Sequence, residues 1–367
     1  MMYYKSFKGN KISTLGLGSL RLPTVPGHSD IIDRPKAQKV IDQAFASGVN
    51  YFDTAYTYHN GDSERFLGEA LSKYPRDSYY LATKFYVAAS TNIRSVFEEQ
   101  LERCRTDYFD FYLLHGVQEQ YMDKYMDSQK NYIGYLLEQK KAGRIRYLGF
   151  SSHAAPDALE RFVNWYPDFD MALIQLNYLD WTLLNGKRQY EILTAHQIPI
   201  WVMEPLKGGR LISLNEKAEA ILHGTAPHNS LPSWSFRYLL GLDNVQCVLS
   251  GMSTPGQVAE NAAIFEEGNK LSQQESDALA EAAAAFKNDL GIPCSSCRYC
   301  CPACPAGLDI PLLIQGYNEL SISGETWRIS SLSQTAGPDA CIQCGACSKR
   351  CPQKIDIPAV MRAYRGS

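Results

Sequence analysis

Short apolar runs alternate with amphipathic segments along most of the chain. Helical spacing of apolar residues recurs in residues 35–48, 62–73, 91–105, 131–142, 155–165, 188–197, 230–240 and 256–266. The short runs are nearly continuous in apolar residues, as buried parallel strands are. They read TLGLGSLRL, NYFDTA, SYYLATKF, YFDFYLLH, RIRYLGFSS, MALIQLNY, IPIWVMEP and VQCVLSGM. Eight strand–helix units in about 250 residues predict an α/β fold, a closed (β/α)8 barrel.

The main alternative is an open, doubly wound sheet. That fold would carry a glycine-rich fingerprint after an early strand, and GLGSLRLP does not match G-x-G-x-x-G. After the last unit, Ser272 and Glu275 form a capping-box pattern at the start of another helix. We therefore predict a barrel over residues 1–270, a connecting helix over 271–290 and a small, mainly helical domain over 291–367.

The cysteines are concentrated in this last segment. The chain has eleven, and nine of them lie between Cys294 and Cys351. A disulfide framework would instead spread cysteines through a short secreted chain. The first residues contain no apolar signal core, and the net charge is −3. We expect a cytoplasmic protein without a nucleic-acid or membrane partner.

Eight of these cysteines form two runs with the spacing C-x2-C-x2-C-x3-C-P, which holds cubane iron–sulfur clusters. Each run is followed by the tripeptide D-I-P, five residues after its last cysteine, so the module is duplicated. The predicted metal ligands are Cys294, Cys297, Cys300, Cys304, Cys341, Cys344, Cys347 and Cys351. Zinc bound by four cysteines is the alternative.

This segment resembles a bacterial-type two-cluster ferredoxin of the helical variety. In such an arrangement, the fourth cysteine of each run binds the other cluster. The resemblance therefore implies one 4Fe-4S cluster on Cys294, Cys297, Cys300 and Cys351, and a second on Cys341, Cys344, Cys347 and Cys304. Cys301 lies outside the spacing, and we interpret it as a buried thiol without a ligand role.

Four polar residues fall at or just after the C-terminal ends of predicted barrel strands, where barrel enzymes build their sites. They are Asp53, Tyr58, Lys84 and His115. A neighbouring ammonium at Lys84 would lower the pKa of the Tyr58 phenol, and Asp53 would hold that ammonium. His115 could polarise a carbonyl while Tyr58 protonates its oxygen. Each residue alone also has a structural interpretation, such as a buried ion pair.

The motifs DTAYTYHNGDSERFLGEAL, LATK, DFYLLH, GRIRYLGFSS, IQLNY and SGMSTPGQVAEN are similar to those of the aldo/keto reductase family. The whole chain resembles the ferredoxin-fused branch of that family. The resemblance implies reduction of a carbonyl by hydride from a nicotinamide, with Asp53, Tyr58, Lys84 and His115 as the catalytic tetrad. Tyr58 is preferred to Tyr56 because it keeps the family's offset from the aspartate.

The resemblance also implies which residues bind the nicotinamide cofactor. They are Ser151, Ser152, Gln175, Met203, Pro205, Leu206, Lys207, Gly208, Gly209, Arg210, Gly251, Met252, Ser253, Gln257 and Asn261. Gly208 and Gly209 would offer backbone donors to a phosphate, although an ordinary glycine-containing loop is the alternative.

Several of these positions depart from the family pattern. Ser151-Ser152 replaces a Ser-Asn pair, and Met203 replaces an aromatic residue that stacks on the nicotinamide. Gly251 and Gln257 replace a lysine and an arginine that contact the 2′-phosphate of NADP. Losing two cations argues against strong selectivity for NADP.

We therefore expect a reductase of a small aldehyde, ketone or sugar, with NAD(P)H and two 4Fe-4S clusters as cofactors. FMN would be an additional cofactor, because a flavin can join two-electron hydride transfer to one-electron transfer. A ferredoxin or flavoprotein is the expected redox partner. Two alternatives are an electron-transfer or redox-sensing protein whose barrel is a docking module, and a plain NAD(P)H carbonyl reductase with structural clusters.

Overall fold

Eight parallel strands close into a barrel, which confirms the predicted (β/α)8 fold. The structure is a computed structural model and describes residues 1–28, 30–287, 291–323, 326, 332 and 335–366. Consecutive barrel strands are neighbours, and β10 pairs with β3 to close the circle. The strands are β1 (Tyr4–Phe7), β2 (Asn10–Ser13), β3 (Leu15–Gly18), β4 (Tyr51–Asp53), β5 (Tyr80–Phe85), β6 (Phe109–Val117), β7 (Ile145–Ser152), β8 (Met171–Gln175), β9 (Ile200–Met203) and β10 (Val245–Ser250).

Helices follow the barrel strands, and each predicted helical segment overlaps one, with boundaries that differ by up to two residues at most ends. Three helices within residues 1–270 were not predicted, namely α4, α7 and α9. The helices are α1 (Arg34–Ala46), α2 (Asp62–Leu71), α3 (Ile93–Cys104), α4 (Glu119–Tyr125), α5 (Tyr132–Lys141), α6 (Pro156–Trp165), α7 (Asp180–Leu183), α8 (Gly186–Ala195), α9 (Glu216–Thr225), α10 (Leu231–Leu240), α11 (Pro255–Ile264), α12 (Gln273–Lys287), α13 (Ile310–Ser323) and α14 (Ile357–Arg365).

The interior of the barrel is filled near the first residues of its strands. The hairpin of β1 and β2 contributes Phe7, whose ring lies 5.0 Å from that of Trp201 and 5.7 Å from that of Phe111. Tyr51 at the start of β4 packs into the same buried cluster. Because this end is packed with aromatic side chains, the opposite ends of the strands are left for polar groups.

The described chain divides into two compact units. The first comprises Met1–Pro205 and His228–Ser276 and contains the barrel. The second comprises Leu206–Pro227 and Asp277–Ser367, so it contains α9, most of α12, α13 and α14. Residues 288–290 and 367, which belong to the predicted connecting helix and C-terminal domain, lie outside the described residues. Within the described residues, no helix has the length and apolar character of a membrane span.

The two D-I-P tripeptides start equivalent helices in the second unit. The Asp309 carboxylate accepts a hydrogen bond from the Leu312 N–H at 3.4 Å, and the Asp356 carboxylate accepts one from Ala359 at 3.2 Å. Each aspartate thus satisfies a backbone donor that the first turn of α13 or α14 would leave unpaired. The proline two residues later lies in the first turn, where no N–H is needed.

Candidate functional site

The four predicted tetrad residues lie together at the C-terminal ends of the barrel strands. Asp53 ends β4, Lys84 lies near the end of β5, His115 lies in β6, and Tyr58 follows β4 in a loop. The Lys84 ammonium donates to Asp53 Oδ1 at 2.5 Å and is hydrogen-bonded to Tyr58. The rings of Tyr58 and His115 have their centroids 5.7 Å apart.

Lys84 is completely buried, so its charge depends on its neighbours. It donates a second hydrogen bond, to the Thr54 carbonyl oxygen, at 2.5 Å. Burial is the largest single effect and opposes the charge, but Asp53 and Tyr58 together outweigh it and raise the pKa of Lys84. Burial raises the pKa of Asp53, against the attraction of the ammonium. A charged lysine is thus held beside the Tyr58 phenol.

His115 is held neutral and fixed through its backbone. Burial, the charge of Lys84 and the neighbouring His153 lower the pKa of His115 well below its usual value. The hydroxyl of Tyr125 on α4 donates to the His115 carbonyl oxygen at 2.6 Å. A neutral imidazole can donate a hydrogen bond to a carbonyl oxygen without carrying a charge of its own.

Residues behind Lys84 form a buried network that sequence reasoning missed. The Glu64 carboxylate accepts hydrogen bonds from Thr83 at 2.6 Å, Gln100 at 2.6 Å and Arg103 at 3.0 Å. Gln100 also donates to the Lys84 carbonyl oxygen at 3.1 Å. The network therefore fixes the backbone from which Lys84 projects. Its only signal in the sequence is a charged residue on the inner face of α2.

The predicted nicotinamide residues at the ends of β7, β8 and β9 are largely buried. Ser151 Oγ accepts a hydrogen bond from Gly116 at 2.8 Å, and Ser152 Oγ donates to the Val117 carbonyl oxygen at 3.1 Å. Gln175 donates to Asp180 at 2.8 Å, and Met203 packs against the barrel core. The two serines thus tie the end of β7 to β6, whereas Gln175 is held by α7.

The loop after β10 and the helix α11 that follows it contain five more predicted cofactor residues, all in the barrel unit. Gln257 accepts a hydrogen bond from the Ser253 N–H at 2.8 Å. Asn261 is buried and donates to Ser250 Oγ at 3.3 Å, while Met252 is buried in the core. A Cβ at position 251 would fall 3.0 Å from carbon atoms of Arg21, so Gly251 leaves room for that side chain.

The predicted phosphate loop begins in one unit and continues in the other. The Pro205 carbonyl, in the barrel unit, accepts a hydrogen bond from the Ser235 hydroxyl at 2.5 Å. Leu206–Arg210 belong to the second unit, where Lys207 is buried. The Gly209 N–H donates to the Leu206 carbonyl at 3.0 Å and closes a turn.

The cysteines of the second unit line two separate cavities. The first cavity encloses about 280 Å³ of empty space with its opening to solvent included, and its four cysteines are Cys294, Cys297, Cys300 and Cys351. The second cavity encloses about 330 Å³ by the same measure, and its four cysteines are Cys304, Cys341, Cys344 and Cys347. The last cysteine of each run thus lies in the cavity of the other run, and Cys301 lines neither.

The backbone repeats between the two runs as well. Residues two and four positions after the first cysteine have a positive φ in both, namely Ser296 (55°), Arg298 (64°), Gln343 (61°) and Gly345 (73°). The Ser296 N–H donates to the Cys294 sulfur at 3.4 Å, and the Gln343 side chain donates to the Cys341 sulfur at 3.4 Å. Such donors stabilise negative charge on cysteine sulfur.

A family model described as "Aldo/keto reductase family" matches residues 14–284. The chain belongs to the aldo/keto reductase family. A second model, "4Fe-4S dicluster domain", matches residues 293–355. The chain is therefore an aldo/keto reductase-type oxidoreductase with a C-terminal iron–sulfur domain.

Aldo/keto reductases and related oxidoreductases resemble the chain over most of their own length. "Uncharacterized oxidoreductase YqkF" of Bacillus subtilis is 26% identical over 302 residues, which is 73% of this chain and 92% of that protein. "NADH-specific methylglyoxal reductase" of Escherichia coli is 24% identical over 75% of this chain and 96% of that protein. The solved aldo-keto reductase AKR11C1 from Bacillus halodurans has a TM-score of 0.64 and 26% identity, covering 77% of this chain and 96% of that one.

The cysteine cavities of this aldo/keto reductase fit iron–sulfur clusters better than single metal ions. Within the described residues, no three His, Cys, Asp or Glu side chains are grouped so that they could hold one ion. A structural zinc needs four ligands on a single ion, whereas a cubane cluster binds each cysteine at a different iron atom. Four cysteines spread around a cavity are the donor set that a cubane requires.

Proposed function

We propose that the barrel reduces a small carbonyl compound, an aldehyde, ketone or sugar, with Tyr58 as the proton donor. The observation that supports it is the buried chain of contacts from Asp53 through Lys84 to Tyr58. Lys84 stabilises the phenolate that Tyr58 becomes after giving up its proton. The neutral His115 donates a hydrogen bond to the carbonyl oxygen and orients it towards Tyr58.

We propose a nicotinamide as the hydride donor, bound in the barrel unit by Ser151, Ser152 and Gln175. When bound, it supplies the hydride that reaches the carbonyl carbon. NADH is the better candidate because Gly251 and Gln257 bring no charge to a 2′-phosphate. Arg21, which lies against Gly251, is the nearby cation that would allow some use of NADPH. The NADH-specific Escherichia coli relative is consistent with this preference.

We propose that the two cavities of the second unit hold 4Fe-4S clusters. Cys294, Cys297, Cys300 and Cys351 would bind the first cluster, and Cys304, Cys341, Cys344 and Cys347 the second. The clusters supply one-electron transfer, and an external ferredoxin or flavoprotein is the proposed partner, in a reducing cytoplasm. The family match gives no support for FMN, and the proposal does not include it.

The test of the reductase proposal is Tyr58→Phe, with Tyr56→Phe as the matched control. The Tyr56 hydroxyl donates to Glu99 at 2.8 Å and has no part in the proposed chemistry. We expect Tyr58→Phe to lower kcat for anaerobic carbonyl reduction about 10²–10⁴-fold, because it removes the general acid. Tyr56→Phe should change kcat little.

The same samples discriminate between the alternatives. Activity that survives in Tyr58→Phe would contradict the proposed acid and favour a barrel that serves as a docking module. Cluster absorbance that bleaches when NADH is added to the wild-type protein would connect the clusters with the nicotinamide. Carbonyl reduction with unchanged cluster absorbance would instead favour structural clusters.

A further inference from the structure

A segment between two barrel strands belongs to the same compact unit as the cysteines. Residues Leu206–Pro227, which follow β9, group with Asp277–Ser367. The Asn215 side chain caps α9 and also donates to the Ala285 carbonyl oxygen of α12 at 3.2 Å. The compact unit that carries the cysteines therefore also includes a segment that precedes β10 in the sequence.

Gly208 packs tightly against the first cysteine run. A Cβ placed on Gly208 would fall on the carbonyl oxygen, carbonyl carbon and Cα of Ser295, nearer than real Cβ atoms come. These are backbone atoms, so no side-chain rotation can relieve the clash. Ser295 itself is buried and lies between Cys294 and Ser296. Only glycine therefore lets the loop pack on the segment that holds Cys294.

The loop that packs on Ser295 also carries a cation that interacts with the first cysteine of the run. Arg210 lies two residues after Gly208, is partly buried, and interacts electrostatically with the Cys294 sulfur. Arg298, the arginine that lines this cavity, forms a two-bond ion pair with Asp309, with both distances 3.1 Å. Asp309 offsets the charge that Arg298 brings, so Arg210 adds a positive charge from a different part of the chain.

We propose that the loop Lys207–Ile212 is part of the first cluster's binding site, and that Arg210 is the residue that raises the reduction potential of that cluster. A cluster gains one negative charge when it takes up one electron, so a fixed nearby cation stabilises the reduced form. The inference rests on the proposed function only in requiring that the first cavity holds a cluster. It goes beyond that proposal by assigning to the cluster site residues that lie outside the two cysteine runs in sequence.

The packing is tested with Gly208→Ala, and Gly209→Ala is its matched control. Gly209 has a φ of 96°, more strained for alanine than the 65° of Gly208, but a Cβ there would meet nothing within 4 Å. We expect Gly208→Ala to lose the first cluster, so that iron falls from about eight to about four atoms per chain. Gly209→Ala should keep its iron. Equal iron content in both variants would overturn the packing argument.

The charge is tested in the full chain by anaerobic redox titration with dithionite and mediators, followed by electron paramagnetic resonance. We expect Arg210→Gln to shift the reduced-to-oxidised ratio of one cluster about tenfold towards the oxidised form, equal to about 59 mV for one electron. Arg210→Lys should restore most of the wild-type value. Arg362→Gln is the control, because Arg362 contacts Gln343 beside the second cavity.

The outcomes separate the inference from the proposed function. Chains without cluster absorbance after anaerobic purification would contradict the proposed clusters before any variant is compared. If both clusters are present and their reduction potentials are the same in wild type and Arg210→Gln, the proposed role of Arg210 is wrong. The proposal that the cavities hold clusters is then unaffected. Arg362→Gln should leave unchanged the reduction potential that Arg210→Gln shifts. If Arg362→Gln shifts it as well, the effect comes from the net charge of the protein, and the assignment to Arg210 is wrong.

Discussion

The barrel site and the cysteine cavities hold their functional groups by different means. In the barrel, Asp53, Lys84 and His115 project from strands whose pairing and packing fix them, and Lys84 forms an ion pair with Asp53. In the second unit, the cysteines are themselves part of the small apolar core, together with residues such as Leu313 and Met361. A barrel can form its site without a cofactor, whereas the second unit is organised around what fills its cavities.

The largest effect should come from a cysteine that lies far along the chain from its partners. We expect Cys351→Ser to lose the first cluster, although Cys351 belongs to the second run, and to loosen α13 and α14 because the core loses its metal. Hydrogen exchange would show faster exchange in those helices, with the barrel strands unchanged. Cys301→Ser is the control, and it should keep both clusters. Loss of the second cluster alone in Cys351→Ser would contradict the crossed arrangement.

Removing the buried ion pair between Asp53 and Lys84 should have the opposite effect. It should destabilise the barrel and leave the clusters in place. We expect Asp53→Leu to lower the free energy of unfolding of the barrel by about 3–5 kcal/mol, because it leaves the Lys84 charge buried without its partner. The double variant with Lys84→Met should recover most of this loss. Arg161→Ala, which breaks an exposed pair with Asp123, should have little effect. Urea unfolding of the four proteins measures the comparison.

A smaller effect on barrel stability should appear as the pH falls. Burial lowers the pKa of His153 to about 4 and also lowers the pKa of His115, whereas an unfolded histidine titrates near 6.5. Below about pH 6.5 the unfolded chain therefore binds more protons, and stability is lost as the pH drops towards 4. His153 accounts for up to about 3 kcal/mol of that loss. Urea midpoints between pH 4 and 8 should fall less steeply in His153→Gln, and an unchanged slope would contradict the assignment.

The features that could be predicted from the sequence depend on local pattern. The eight strands are near-continuous apolar runs, and the predicted tetrad positions follow from where those runs end. The three unpredicted helices are short or lie in loops with weak periodicity. The Glu64 network and the packing of Gly208 on Ser295 bring together residues that are distant in the chain, so no spacing rule reveals them. Contacts between such distant segments can be identified only once the chain has folded.

The crossed arrangement of the cysteines has a consequence for biosynthesis. Cys351 is the last of the eight to be translated, and the first cavity lacks its fourth sulfur until then. The second cavity already has its four once Cys347 has been made. A nascent chain that contains only the first run therefore has no complete site for metal, whereas all eight barrel strands have by then left the active centre of the ribosome. Translation thus makes all eight barrel strands before either cavity has its four cysteines.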